Sequence, residues 1–133
     1  ATRATITPTE TSRTAFFRRS TSEAGIVIRY EKLFWKNTHA TLTLNSAVVT
    51  LTADPDARIR VGLATAINDS GSVANRKTAP AGVAFVDDNI DQTVPSGVLA
   101  AGDRIGTWLE QNLPASDAAH KTTFTTRLQG TTV

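Results

Sequence analysis

The chain has 133 residues, of which 40% are hydrophobic and 20% charged, with a net charge of +2 and no cysteine. This length predicts one domain that buries roughly two-thirds of its unfolded surface, and the lack of cysteine excludes disulfides, thiolate metal sites and thiol nucleophiles. No apolar run approaches the roughly 20 residues of a membrane span, and the first residues lack the pattern of a signal peptide. We therefore expect a protein made in a cytoplasm, with no membrane partner.

Positive charge is concentrated near the N-terminus. The first 36 residues contain seven Lys and Arg against three Glu, whereas the remainder is acidic on balance. This asymmetry points to an anionic partner whose binding weakens with salt, although a solvated basic face without a partner explains it as well. Residues 1–22 are rich in Thr, Ser and Arg, and we expect an N-terminal arm or edge strand there, ahead of one β-sandwich domain over residues 23–133.

Threonine occupies about one position in six, which favours extended chain because its branched Cβ is already stiff. Alternation of apolar and polar residues predicts strands. In chain order, the predicted strands cover residues 25–35, 41–52, 58–67, 82–86 and 122–129. The apolar positions change face near residues 45–47, which predicts a bulge or a short turn, and the polar run 68–81 predicts a long loop.

The stretch 94–113 has two interpretations. Its apolar residues, from Val98 through Ile105 to Trp108, follow helical spacing, which would give one short helix near residues 97–113. Three glycines in the same stretch each cost a helix about 1 kcal/mol relative to Ala, and residues 104–109 also alternate as a strand does. We favour a turn at residues 101–103 followed by a strand.

These elements predict an all-β chain of seven or eight strands. The natural way to bury their apolar faces is an antiparallel sandwich of two sheets. Phe34, Trp35, Phe85 and Trp108 are large enough to anchor the core of a sandwich of this size.

No motif of a catalytic or nucleotide-binding site occurs in the chain. His39 and His120 are the only imidazoles, and neither has a second ligand at metal spacing, so we interpret both as surface or strand-edge residues. Asp87, Asp88 and Asp91 form the densest acidic cluster; oxygen-rich loops can bind Ca²⁺ between subunits, but solvated loop acids are the favoured interpretation here. We expect a protein that is not an enzyme and uses no cofactor or metal.

Arginines flank two aromatic residues in the predicted arm, Phe16 and Phe17. Guanidinium groups bind phosphates through paired hydrogen bonds, and an aromatic ring stacks on a base or on arginine itself. The two rings could equally anchor an edge strand in the core. Our candidate nucleic-acid-binding residues are Arg3, Arg13, Arg18 and Arg19, with Lys32 and Lys36 as weaker candidates.

From Ala47 onward the chain resembles the jelly-roll coat proteins of small icosahedral RNA viruses, tymovirus-like coats in particular. The likeness lies in the strand-like runs 48–51, 61–64 and 82–86, in Val94 and Pro95, and in the closing run 124–131. The chain is shorter than typical members, and its arm is less basic than many. The resemblance implies a viral jelly roll, self-assembly of many copies into an icosahedral capsid around RNA, and a location in the virion after synthesis in the host cytoplasm.

Two other classes of protein stay open. An RNA-phage-type coat protein, in which strands precede terminal helices that interlock a dimer, fits the length and the helical interpretation of residues 98–113. The Thr-rich C-terminal strand argues against that class. A non-viral β-sandwich binding module is the third class, and the lack of a secretion signal counts mildly against it.

Overall fold

The computed structural model describes residues 27–54, 57–115 and 123–132. In these ranges the protein consists of antiparallel strands and one short 3₁₀ turn, which confirms the predicted all-β class. In chain order the elements are β1 (Val27–Lys36), β2 (Leu44–Ala53), β3 (Ile59–Leu63), β4 (Gln92–Thr93), the 3₁₀ turn Pro95–Gly97, β5 (Val98–Leu99), β6 (Arg104–Leu113) and β7 (Thr125–Thr131). The predicted arm, residues 1–22, lies outside the described ranges.

The strands form two sheets. Sheet A has the order β1-β6-β3, and sheet B is built around β2. The short strands β4 and β5 pair with β2 along one edge and β7 pairs along the other, because Val48 lies opposite both Thr93 of β4 and Gln129 of β7. The chain therefore changes sheet at every connection except that between β4 and β5.

The strand pairs are nested along the sequence. β1 pairs with β6 over its full length, from Val27 opposite Leu113 to Lys36 opposite Arg104. Inside that pair, β2 lies beside β4 and β5. Inside that again, β3 meets the single residue Val86 through an isolated bridge. The chain thus folds back on itself around the long loop that follows β3.

The predicted bulge lies in β2. The register of β2 with β7 shifts between Asn45 and Val48, and Ser46 has a positive φ of 50°. The extra residue restores the inward direction of the apolar side chains, so that Leu44 and Val49 are both buried. The change of face in the sequence therefore marks a real irregularity of this strand.

Two apolar clusters join the sheets. The larger one includes Trp35 of β1, Val49 of β2, Ile105 of β6 and Leu128 of β7. The smaller one brings Leu51 of β2 against buried residues of β3 and β6. Since both clusters draw on both sheets, the fold is sandwich-like, with the core between the two inner faces.

The ambiguous stretch is a turn followed by a strand, as favoured. A turn at Ala101 and Gly102, where Gly102 has a φ of 82°, leads into the ten residues of β6. The helical interpretation of residues 97–113 is wrong. The helical spacing is misleading because Trp108 is buried on the outer face of sheet A, whereas Ile105 is buried on the inner face.

Two other expectations need correction. The predicted strand 82–86 is wrong, because only Val86 joins a ladder, while the preceding residues pack across the outer face of sheet A. Phe34 is not a core anchor: it is 41% exposed, since it shares the outer face of β1, whereas Trp35 points into the core. Trp108 is buried, but on the outer face of sheet A and not in the core between the sheets, and Phe85 is half-buried.

Candidate nucleic-acid interface

The predicted nucleic-acid-binding residues divide into two groups. Arg3, Arg13, Arg18 and Arg19 lie outside the described ranges. Lys32 and Lys36 lie on β1, and their alternation with Trp35 places both on the outer face of sheet A. Their surroundings on that face differ in burial and in charge.

Lys32 is held in place by four groups. Its Nζ lies 2.7 Å from Oδ2 of Asp69 and 2.8 Å from the carbonyl oxygen of Gly71, to both of which it donates. The same atom lies 5.1 Å from the centroid of Trp108 and 5.0 Å from that of Phe34, within the range of a cation–π contact. Only 11% of the side chain is exposed. The charge of Lys32 therefore serves to anchor the loop after β3.

A glycine on the neighbouring strand makes room for Lys32. A Cβ at Gly106 of β6 would lie 2.5 Å from Cε of Lys32 and 3.2 Å from Cβ of Ala64. The lysine stem consequently crosses β6 directly over the glycine backbone. This arrangement explains how a lysine on an outward-facing position becomes almost fully covered.

The ion pair with Lys32 perturbs Asp69. The pKa of the Asp69 carboxyl lies below its usual value of 3.8, chiefly because Lys32 donates a hydrogen bond to it and also because the backbone of Gly71 does. Asp69 is therefore ionised over the whole neutral range. The contact closes the first part of the loop over sheet A.

The environment of Lys36 is open. The side chain is exposed at the end of β1 and lies opposite Arg104, the first residue of β6. The guanidinium carbon of Arg104 lies 4.8 Å from the ring centroid of Phe34. The backbone of Arg104 is fixed by Asn68, whose Oδ1 accepts from the Arg104 amide at 3.0 Å. One exposed ring and two exposed cations therefore share this end of the sheet.

The loop after β3 continues to the free edge of β1, which is an edge strand of sheet A. The amide of Tyr30 donates to the carbonyl oxygen of Arg76 at 2.8 Å, and Nε of Arg76 lies 2.8 Å from Oε1 of Glu31. Between the loop and the sheet runs an open cleft of about 300 Å³. Its walls are formed by Tyr30, Glu31, Lys32, Gly71, Ser72, Val73, Asn75, Arg76 and Trp108.

A charged cluster holds the far end of this face. Arg60 of β3 lies 3.1 Å from Glu110 and 3.4 Å from Asp87, and it donates to the carbonyl oxygen of Phe85 at 2.7 Å. The ring of Phe85 packs on Tyr30 at 5.6 Å between centroids. Burial, followed by the negative charge of Glu110, raises the pKa of Tyr30 above 10.0. The phenol therefore stays neutral in the physiological range.

The histidine and the acidic cluster have structural partners. Nδ1 of His39 accepts from the amides of Thr41 and Leu42, at 3.1 and 2.9 Å, and so closes the turn after β1. Asp91 accepts from the hydroxyl of Thr50, and Asp87 faces Arg60. Across the described ranges, no group of three His, Asp or Glu residues is arranged to hold a metal ion. His120 lies outside those ranges.

Sequence reasoning missed Arg104 and Phe34 as parts of the exposed basic end. Arg104 lies far from Lys36 along the chain, and only the register of β1 with β6 brings the two together. The exposure of Phe34 could have been predicted, because strand alternation places Phe34 on the same face as Lys32 and Lys36.

Comparisons with known proteins add no family to this geometry. A scan against family models, a search of curated proteins and a search of solved structures each found no match. No helix in the part of the chain that the structure describes is long and apolar enough to cross a membrane.

Proposed function

We propose that this chain is a structural coat protein with a jelly-roll fold, many copies of which assemble into an icosahedral capsid that encloses RNA. The observation that carries the proposal is the nested antiparallel pairing, in which the chain alternates between two sheets. A jelly roll is such a double sheet of eight strands, and capsid proteins of viruses are among the proteins that use it.

One edge of sheet B, formed by β7, has no further strand beside it in the described ranges. β7 is a seven-residue strand of sheet B, and within the described ranges its only ladder is with β2. An uncovered edge of this length is a site for pairing with further chain. We propose that the segment before β1 joins sheet B on the free side of β7. With connections of equal length on both sides of the pair Val27–Leu113, residue 13 would lie opposite Arg127.

The N-terminal segment is long enough for this role. Residues 16–26 can span roughly 36 Å when extended, whereas facing sheets lie only about 10 Å apart. Residues near position 13 would then complete the eighth strand, which corresponds to the edge-strand interpretation of residues 1–22. The remaining arginines, with Lys36, would face the RNA, while Lys32 is already paired with Asp69.

The eighth strand can be tested by disulfide mapping. Because the chain has no cysteine, Arg127→Cys can be combined with single cysteines at each position from 10 to 16 without background thiols. We expect an intramolecular disulfide at alternating positions around 13, since neighbouring side chains point to opposite faces. Ile28→Cys with Arg127→Cys is the control pair, because these two positions lie on the outer faces of opposite sheets. Disulfides that form only between chains would show that the edge of β7 receives another copy.

Assembly and RNA uptake are tested on the purified protein. Electron microscopy with the ratio of absorbance at 260 and 280 nm is expected to show uniform shells rich in nucleic acid. Replacement of Arg3, Arg13, Arg18 and Arg19 by Gln is expected to lower the RNA content. A monodisperse small species without RNA would overturn the coat-protein proposal and favour a β-sandwich binding module.

The RNA-phage-type alternative keeps only the length of the chain as support. Its other support, the helical interpretation of residues 98–113, is wrong, because this stretch forms β5, a turn and β6. Nothing in the described ranges favours a sheet with terminal helices over the sandwich.

A further inference from the structure

Two positive charges face each other across neighbouring strands of sheet A. Lys36 and Arg104 are directly opposite in the register, and both are exposed. Opposed residues have Cβ atoms about 5 Å apart, and like charges at that distance destabilise a sheet. Within the described residues, neither side chain has a carboxylate at ion-pair distance. An anion between the two cations would remove this repulsion.

The site is built on rigid parts. The guanidinium of Arg104 lies 4.8 Å from the ring of Phe34, so its plane is supported from one side. The backbone of Arg104 is held from both directions by Asn68, whose amide donates to the Arg104 carbonyl at 2.8 Å and whose side chain accepts from the Arg104 amide. The amide of Asn37, next to Lys36, donates to the carbonyl oxygen of Asp103 at 2.9 Å. Little ordering remains to be done when a ligand binds.

We propose that Phe34, Lys36 and Arg104 form a sheet-borne contact for single-stranded RNA, separate from the N-terminal arginines. A phosphate fits between the two cations, with the fork of Arg104 donating two hydrogen bonds and Lys36 adding a point charge. Phe34, 41% exposed, offers the apolar ring beside which an unstacked base lies. The inference deepens the proposed function, since it takes RNA as the partner.

The arrangement favours a nucleic acid over an acidic peptide. An exposed ring next to paired cations matches the alternation of base and phosphate in a single strand. An acidic peptide would use the charges but not the exposed part of the Phe34 ring. The neighbouring Lys32 shows the contrast, because its charge is already met by Asp69.

The experiment measures binding of a short fluorescent single-stranded RNA by anisotropy, over a series of salt concentrations, with the full chain. The variants are Lys36→Gln, Arg104→Gln and Phe34→Leu, and the matched control is Arg60→Gln, an exposed arginine of the same sheet that is paired with Glu110. An acidic peptide without phosphate groups, with the same net charge as the RNA, serves as the competing ligand. Unfolding in urea is measured for every variant.

Each charge variant is expected to weaken RNA binding several-fold and to lower the slope of log K against log salt by about 0.7. Neither should lose stability, because each removes a repulsion; a purely structural role would lower stability instead. Phe34→Leu should weaken binding without changing the slope. Arg60→Gln should leave RNA binding unchanged.

The outcomes separate this inference from the coat-protein proposal. Shells that take up RNA through the arm arginines, with no change in the Lys36 or Arg104 variants, would overturn the sheet contact alone. Equal affinity for the acidic peptide would also overturn it. A protein that forms no shells and binds no RNA would overturn both.

Discussion

Asn37 is a buried polar residue whose removal should destabilise this fold strongly. It is 6% exposed, directly after β1. Its Nδ2 donates to the carbonyl oxygens of Leu42, at 2.8 Å, and Leu99, at 3.0 Å, and its Oδ1 accepts from the amide of His39 at 3.0 Å. One side chain thus joins the loop between the sheets to β5 of sheet B.

Asn37→Ala removes these three hydrogen bonds and fills none of their positions. Each contributes about 1 kcal/mol net, and the carbonyl of Leu99 loses a donor in a buried place, so the expected loss is roughly 3 kcal/mol. That is a large part of the 5–15 kcal/mol typical of a domain. Asn37→Asp should cost at least as much, because a carboxylate would face two carbonyl oxygens with no proton to donate.

Urea unfolding followed by tryptophan fluorescence measures this loss, since Trp35 and Trp108 are both buried. Asn112→Ala, at an exposed position of β6, is the control and should change the free energy of unfolding by less than about 0.5 kcal/mol. A loss below about 1 kcal/mol for Asn37→Ala, with an unchanged dependence on urea, would refute the role assigned to these bonds.

Three further predictions concern the outer face of sheet A. Because Lys32 lowers the pKa of Asp69 in the folded state, the ionised carboxyl stabilises the fold above pH 3.8, and this stabilisation is lost as the pH falls further. In Asp69→Asn, the melting temperature should therefore decrease less steeply at acid pH. An unchanged decrease would contradict the ion pair of Asp69 with Lys32. The raised pKa of Tyr30 predicts phenolate absorbance only above pH 10, stability lost at higher pH, and a lower titration midpoint in Glu110→Gln. Gly62→Ala places a methyl group 2.5 Å from Cγ1 of Val83 and should lower the free energy of unfolding in urea by about 1–3 kcal/mol. An unchanged midpoint would mean that the segment around Val83 moves away without cost.

The class of the fold and several elements could be predicted from local patterns. Threonine content and alternation indicated strands, and the change of face near Ser46 indicated a bulge that the backbone has. The glycine at position 102 distinguished a turn and strand from a helix, because its φ of 82° suits a turn and not a helix. Each of these features depends on residues close together in sequence.

Features that depend on distant residues could not be predicted. The apolar run 82–86 has the composition of a strand, but only Val86 pairs with another residue, Val61 of β3, through an isolated bridge. The strands β4 and β5 have two residues each, too few for any alternation to appear. The residues of β6 that pair with β1 lie 68 to 86 positions further along the chain, and no local rule specifies that register.

Lys32 and Lys36 show why a count of charges is a poor guide to binding. They lie four residues apart on the same face of β1, with Phe34 between them, and sequence reasoning treats both as weaker candidates. Asp69 and Gly71 meet the charge of Lys32, which therefore contributes little to attraction of a polyanion. Lys36 instead lies opposite Arg104, a residue outside the basic N-terminal segment, so its field is reinforced where that of Lys32 is cancelled. The concentration of positive charge at this end of the sheet thus depends on the pairing of β1 with β6, and not on the number of charges in the first 36 residues.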